Sequence, residues 1–320
     1  PLNMKLAKIA LIAVLTTMAS WTFGQSLNDA GSAFNEGIAL SKEDNSKGAI
    51  QAYLNCIEIC DQLGEEGKEL KGKAYGQVVS IYTNLGLEAY KAKEPNAAIV
   101  YLKDALKYSE ASNDKAGADK AKKYIGYAYT YQANVKLKEE KYDGAIEDFN
   151  TALEYYPKNI KTYYGLGLAY LKTDNGPKMK EAMDKVIAMG PEDDKTVVKA
   201  KSAAGKYYLA KATTSLEKLK YDESIELLNN SLTYMPDYAD SYYYLTLAYN
   251  NTKAFDKAVA IGEQGLGIAG EDNFNLHFEI GRAFEGLGEA KIACDHYKSV
   301  TGGPNVEAAK YQAETVLNCK

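Results

Sequence analysis

Four cysteines and two histidines are the residues of this chain best suited to covalent or metal chemistry, and their spacing decides what each can do. His277 and His296 fall in different predicted helices. A zinc or catalytic site asks for more partners than the sequence sets beside them, so they read as surface or interhelical packing residues. Cys56 and Cys60 stand one turn apart on a predicted helix, where Cβ vectors converge poorly for a disulfide; Cys56 reads as a small core residue. Cys294 and Cys319 can meet only where the end of the chain folds back, and the sequence leaves that pairing open. Gly265-x-Gly267-x-x-Gly270 spells a dinucleotide fingerprint, but that loop needs a strand before it and a helix after it. Here it lies at the end of a predicted helix, where glycine is a natural stop. No Gly-x-x-x-x-Gly-Lys-Ser/Thr loop, Gly-x-Ser-x-Gly elbow or Cys-x-x-Cys pair occurs. The carboxylates are scattered over polar helix faces, as solvation requires. The sequence predicts no enzyme, no metal and no cofactor.

Composition narrows the elements that must hold these residues. The formal charge is -5 over 320 residues, and -7 without the N-terminal segment that carries Lys5 and Lys8. Such a balance disfavours nucleic-acid binding. Proline is scarce (7) and tyrosine abundant (27) against a single tryptophan, which suits a core with repeated bulky slots on helices. The N-terminus has the order of an export signal: Lys5 and Lys8, an apolar stretch from Ile9 to Ala19, then Thr22-Phe23-Gly24 before Gln25. Residues 1–24 are read as a signal peptide starting at Met4, cleaved between Gly24 and Gln25. An uncleaved inner-membrane anchor is the alternative, although the apolar stretch is shorter than the roughly 20 residues of a spanning helix. No cysteine follows it to take a lipid.

Self-similarity organises the rest. Phe149, Ala152 and Pro157 are answered 34 residues later by Met183, Val186 and Pro191. Tyr129-x-x-Gln132-Ala133 is answered by Tyr163-x-x-Leu166-Gly167-x-x-Tyr170, with further matches at Tyr82-x-x-Leu85-Gly86, at Tyr242-x-x-Leu245 with Tyr249, and at Ile280-Gly281-x-x-Phe284. A small residue opening a second helix recurs at Ala49, Ala98, Ala145, Ser224, Ala258 and Ala293, with Met179 in the remaining unit. Intervals between these markers are 49, 47, 34, 45, 34 and 35 residues. The three long intervals hold Lys-, Ala- and Glu-rich sequence with helical periodicity, predicting lengthened first helices in the second, third and fifth units. Those helices are expected to project beyond the array edge or to pack on one another there.

These residues resemble the tetratricopeptide repeat over nearly all of residues 25–320, in an exported bacterial type. The resemblance implies an all-α, right-handed α-solenoid of about seven hairpins, at 28–63, 67–112, 114–157, 159–190, 192–235, 238–270 and 273–302. Residues 304–320 resemble the capping helix that closes such arrays. It also implies that first helices line a concave groove for a partner peptide or helix. Projected onto this chain, the groove residues are Tyr127, Asn134, Lys138, Lys161, Tyr164, Lys172, Lys206, Tyr243, Asn250 and Arg282. Tyrosine, asparagine and lysine together suit backbone amides and acidic side chains; equally, the tyrosines can simply cover neighbouring helices. No three consecutive units complete the Lys/Asn/Arg clamp by which some family members hold chaperone C-termini. The expected function is a protein-interaction scaffold or adaptor in the periplasm or at the outer membrane of a Gram-negative cell, binding protein or peptide and no nucleic acid. Glycan or nutrient capture is the alternative.

Overall fold

The computed structural model describes residues 26–270 and 272–320. The export-signal reading of residues 1–24 therefore lies outside the described residues. Among them there is no strand. The helices come as antiparallel pairs: α1 (Leu27–Lys42) with α2 (Ser46–Leu63), α3 (Lys68–Lys91) with α4 (Pro95–Ala111), α5 (Lys115–Lys138) with α6 (Tyr142–Tyr155), α7 (Ile160–Lys172) with α8 (Gly176–Met189), α9 (Lys195–Glu217) with α10 (Tyr221–Tyr234), α11 (Ala239–Asn251) with α12 (Phe255–Ala269), and α13 (Phe274–Gly286) with α14 (Ala290–Lys298). A short α15 (Val306–Tyr311) continues into a π turn, Gln312–Val316. The fold is an α-solenoid of helical hairpins. Contacts divide it into two compact units, one running through Ala92 and taking in Val100–Ala121, the other comprising Lys93–Ile99 and Lys122–Lys320.

Each hairpin turns on one residue in the left-handed region: Asp44, Lys93, Glu140, Asp174, Leu219, Lys253 and Gly288. The next amide returns to a carbonyl five residues back, as Asn45 to Leu40, Lys141 to Lys136, Lys220 to Ser215 and Ala254 to Tyr249, all 2.9 Å. This bond satisfies a carbonyl that the helix end leaves orphaned. Glycine is the usual residue there, yet six of the seven turns use another type, so the stop signal is faint in the sequence. Side-chain caps start several of the helices: Asn45, Asn159, Asn175, Asp194 and Asn273 each accept from an amide in the first turn.

In the first unit, Tyr53, Cys56 and Cys60 are buried with Ala30, Ala33, Ala74 and Val78, and the Phe34 ring meets Tyr53 edge-on at 5.3 Å. The Cys56 and Cys60 sulfurs lie 4.0 Å apart in hydrogen-bond contact and form no disulfide. In the second unit, close helix approach depends on missing side chains. A Cβ on Gly165 would sit 2.4 Å from the Phe149 ring, and one on Gly281 2.8 Å from Tyr297. The fingerprint glycines belong to this packing too: Gly265 faces Tyr242, and Gly270 ends α12 at positive φ.

The lengthened first helix α9 does not stand clear of the array. Its first half carries Val197, Ala200 and Ala204, buried in one cluster with Met179, Met183 and Val186 of α8. It also starts level with α7: Asp194 at its cap feels the charge of Lys161, and Asp174 just past α7 accepts from Tyr207 (3.1 Å) and Lys211 (2.6 Å). Its second half takes α10, with Ser231 donating to the Gly205 carbonyl (2.9 Å) and Ser224 to that of Ala212 (3.1 Å). The added turns, about 16 Å of helix, let α9 serve two hairpins. In α3 and α5 the added turns likewise bury Ala74 and Val78, and Ala118 and Ala121.

At the C-terminus, Cys294 and Cys319 form a disulfide. It ties the end of the chain over Ala293, Tyr297, Val300, Ala309 and Ala313.

The turns generate a first test. Leu219 is 70% exposed and holds φ 59°, so Leu219→Gly gives up almost no burial and relieves left-handed strain. Urea unfolding should show a gain of about 0.5–1 kcal/mol; a loss would mean that the turn does not need that conformation.

Candidate functional site

Within the second unit the first helices form a row. α7 touches α9, α9 touches α11, and α11 touches α13. α5 joins through buried Thr130 and Thr162, whose hydroxyls are 2.7 Å apart. With α9 level with α7, Lys172 and Lys206 occupy the same height on neighbouring helices, and Lys138 stands 34 residues before Lys172.

The ten residues projected onto this face are treated differently by the structure. Lys138, Lys161, Lys172 and Lys206 are exposed. Tyr127 is half-buried, edge-on to Tyr124 (5.7 Å) and Tyr156 (5.6 Å), with the Lys123 ammonium over its ring. Asn134 spends its amide on the Thr130 carbonyl of its own helix (2.8 Å). Tyr164 packs on the Met179 and Met183 cluster, and burial raises its hydroxyl pKa. Tyr243 packs beside Leu276 and Ile280, its ring 4.9 Å from that of Tyr244.

Asn250 and Arg282 are brought together by a residue that sequence reasoning missed, Glu279. Its side chain is 3% exposed and lies between α11 and α13. Arg282 Nη1 donates to both carboxylate oxygens, at 3.2 and 2.9 Å. Asn250 Nδ2 donates to Glu279 Oε2 and to the Glu279 carbonyl, both 2.8 Å. Asn250 is thus buried and committed inside the protein, while the Arg282 side chain remains 36% exposed. The one advance signal for Glu279 was its place three residues before an arginine on a helix.

A cavity of about 710 Å³ lies on the other side of α9, lined among others by Tyr207, Lys211, Ser215, Lys180 and Glu223 from α8, α9 and α10. It arises where α9 passes from one hairpin to the next, and the 34-residue pattern gives no hint of it. Burial and the hydrogen bond to Asp174 push the Tyr207 hydroxyl up to about 12. His277 and His296 bridge α13 and α14, their Nδ1 atoms 3.0 Å apart. Among the described residues no group of three or more His, Cys, Asp or Glu is placed to hold a metal ion. Nor is any described helix long and apolar enough to cross a membrane.

The family model for the TPR repeat matches residues 133–174, which run from the end of α5 through α6 and α7. The Hsp70-Hsp90 organizing protein of Triticum aestivum is 26% identical over 204 residues, covering 58% of this chain and 33% of that protein. This chain therefore spans about a third of the length of the curated relatives it matches. Among solved structures, MamA is similar over 59% of this chain and 94% of its own, at 22% identity and a TM-score of 0.35. A tetratricopeptide repeat protein from Parabacteroides merdae ATCC 43184 is similar over 91% of this chain and 99% of its own, at 18% identity and a TM-score of 0.31.

The network between the last two TPR-like hairpins has a pH signature. Burial raises the Glu279 carboxyl above its ordinary value, while Arg282 and Asn250 pull it back. The folded chain then holds a proton that the unfolded chain has released. This contribution is complete below about pH 4.3 and is lost as pH climbs through the folded-state value. Glu279→Gln removes the titration, so urea unfolding should show the variant gaining on the parent from about pH 4.3 upward. A pH-independent difference would show that its two partners offset the burial.

Proposed function

We propose that this chain is a protein-interaction scaffold or adaptor, exported to the periplasm or envelope, that holds a partner peptide or helix along its row of first helices. The observation that carries this reading is the row itself. Helices α7, α9, α11 and α13 lie in contact, anchored from behind by buried alanines, tyrosines and the Glu279 network. Their outer sides keep exposed Lys161, Lys172 and Lys206 and the partly exposed Arg282. Rigid helices presenting polar and aromatic side chains over a supported surface suit recognition of another chain. The TPR repeat match at 133–174 and the relative named for organizing two other proteins support the same reading.

Export rests on two observations. The basic-apolar-small order of residues 5–24 follows the export pattern. The Cys294–Cys319 disulfide suits an oxidising compartment better than a reducing cytosol.

Crosslinking in intact cells followed by mass spectrometry tests the proposal. It should recover a reproducible partner joined through the lysines of α7 and α9, with a mature N-terminus at Gln25. Failure to enrich any partner, or crosslinks confined to the second helices, would contradict the binding reading. An intact N-terminus in a cytosolic fraction would contradict export.

A further inference from the structure

Charge is divided between two sets of helices in the second unit. From Lys122 onward α5, with α7 and α9, carries eleven lysines against one acid, Glu217. The second helices α6 and α10 carry seven acids and no lysine or arginine, while α8 between them carries three lysines and two acids. A protein of net charge -5 therefore carries a set of strongly basic first helices, which the overall balance hides.

Several of those lysines are already engaged. Lys136 pairs with Asp148 (2.7 Å), Lys201 with Glu192 (3.1 Å) and Lys211 with Asp174 (2.6 Å). Lys123 lies over the Tyr127 and Tyr156 rings. Lys138, Lys172 and Lys206 are exposed and make no ion pair among the described residues. They recur every 34 residues, on three consecutive first helices. Of the acids nearest in sequence, Glu139 pairs with Lys141 (2.9 Å) and Asp174 holds Lys211 and Tyr207, while Glu140 stands exposed in the hairpin turn two residues from Lys138. Asp194, which feels Lys161, caps α9 through the Thr196 amide (2.6 Å).

Packed helices lie about 8–10 Å apart, so the rungs of this ladder repeat at about that distance. A polyproline-type chain rises about 3.1 Å per residue and turns the same side outward every third residue, after about 9 Å. The two repeats match. We infer that Lys138, Lys172 and Lys206 dock an extended acidic segment of a protein partner, with Asp or Glu at every third position over about seven residues. The inference rests on the interaction-scaffold reading and names its partner class. Nucleic acid fits the face less well: bases need open aromatic platforms, whereas Tyr127 is edge-packed and Tyr164 lies against the core.

The test uses the full chain and two labelled twelve-residue peptides of the same composition, a (Glu-Pro-Ser)4 repeat and one with its four Glu in a block. By fluorescence anisotropy the regular peptide should bind at least about tenfold tighter, and more weakly as salt rises. Lys138→Glu, Lys172→Glu and Lys206→Glu together should cost at least about tenfold. Lys158→Glu, Lys185→Glu and Lys291→Glu, at exposed lysines off the ladder, should change it by less than about twofold. Circular dichroism melts confirm that both triple variants fold. Equal binding of the block peptide, equal loss in both variants, or an equally tight oligouridylate of the same charge would each overturn the inference. If crosslinking finds a partner on the first helices while the regular peptide fails, the ladder inference falls and the scaffold reading stands. If no partner is found, the scaffold reading falls whatever the peptide does.

Discussion

A pair of antiparallel helices has more apolar surface than its two members can cover for each other. That shortfall governs this protein. Each hairpin leaves an uncovered face that the next must take, so stability is a property of neighbours rather than of any one unit. The glycines and alanines of the first helices bring the axes close, and Phe149, Met183 and Tyr297 fill the space that remains. On the seventh hairpin, a short helix held by the Cys294–Cys319 disulfide covers the apolar cluster of Ala293, Tyr297 and Val300.

The same requirement explains the candidate site. To stack, first helices must touch first helices, which places their outward sides in one continuous row within the second unit. Residues near the contact line are drawn inward, as Thr130, Thr162 and Asn250 are. Residues a quarter-turn away stay in solvent, as the lysines do. Burying Glu279 in that line is costly on its own, and Arg282 Nη1 and Asn250 Nδ2 supply three hydrogen bonds to its carboxylate that reduce the cost. A lone arginine among seven hairpins is thereby held in one orientation.

Much of the fold was legible because the constraint is periodic. Aromatic and small residues recurring at 34-residue intervals can satisfy only stacked helical pairs, and the literal Gly265–Gly270 fingerprint could be set aside on helix position alone. What was not legible depends on non-periodic choices. Hairpin stops at Asp44, Glu140, Leu219 and Lys253 lack the glycine that marks such turns. The lengthened α9 looks like a protrusion in sequence, because a helix shared between two partners has the same periodicity as one that projects. Its division between α8 and α10 depends on contacts such as Ser231 to Gly205, which join residues with no common repeat position. The cysteine pairing depended on how the tail folds back, and Glu279 reads as one more surface carboxylate until α11 is placed beside it.

The central claim is that the added turns of α9 belong to the hairpin before it. Hydrogen exchange measured residue by residue along α9 tests this most directly. If α9 is shared, amides from Ala200 to Gly205 should be protected to within about tenfold of those from Tyr208 to Ser215. If the first half instead exchanges about a hundredfold faster or more, it is an unsupported extension, and the shared-helix account is wrong.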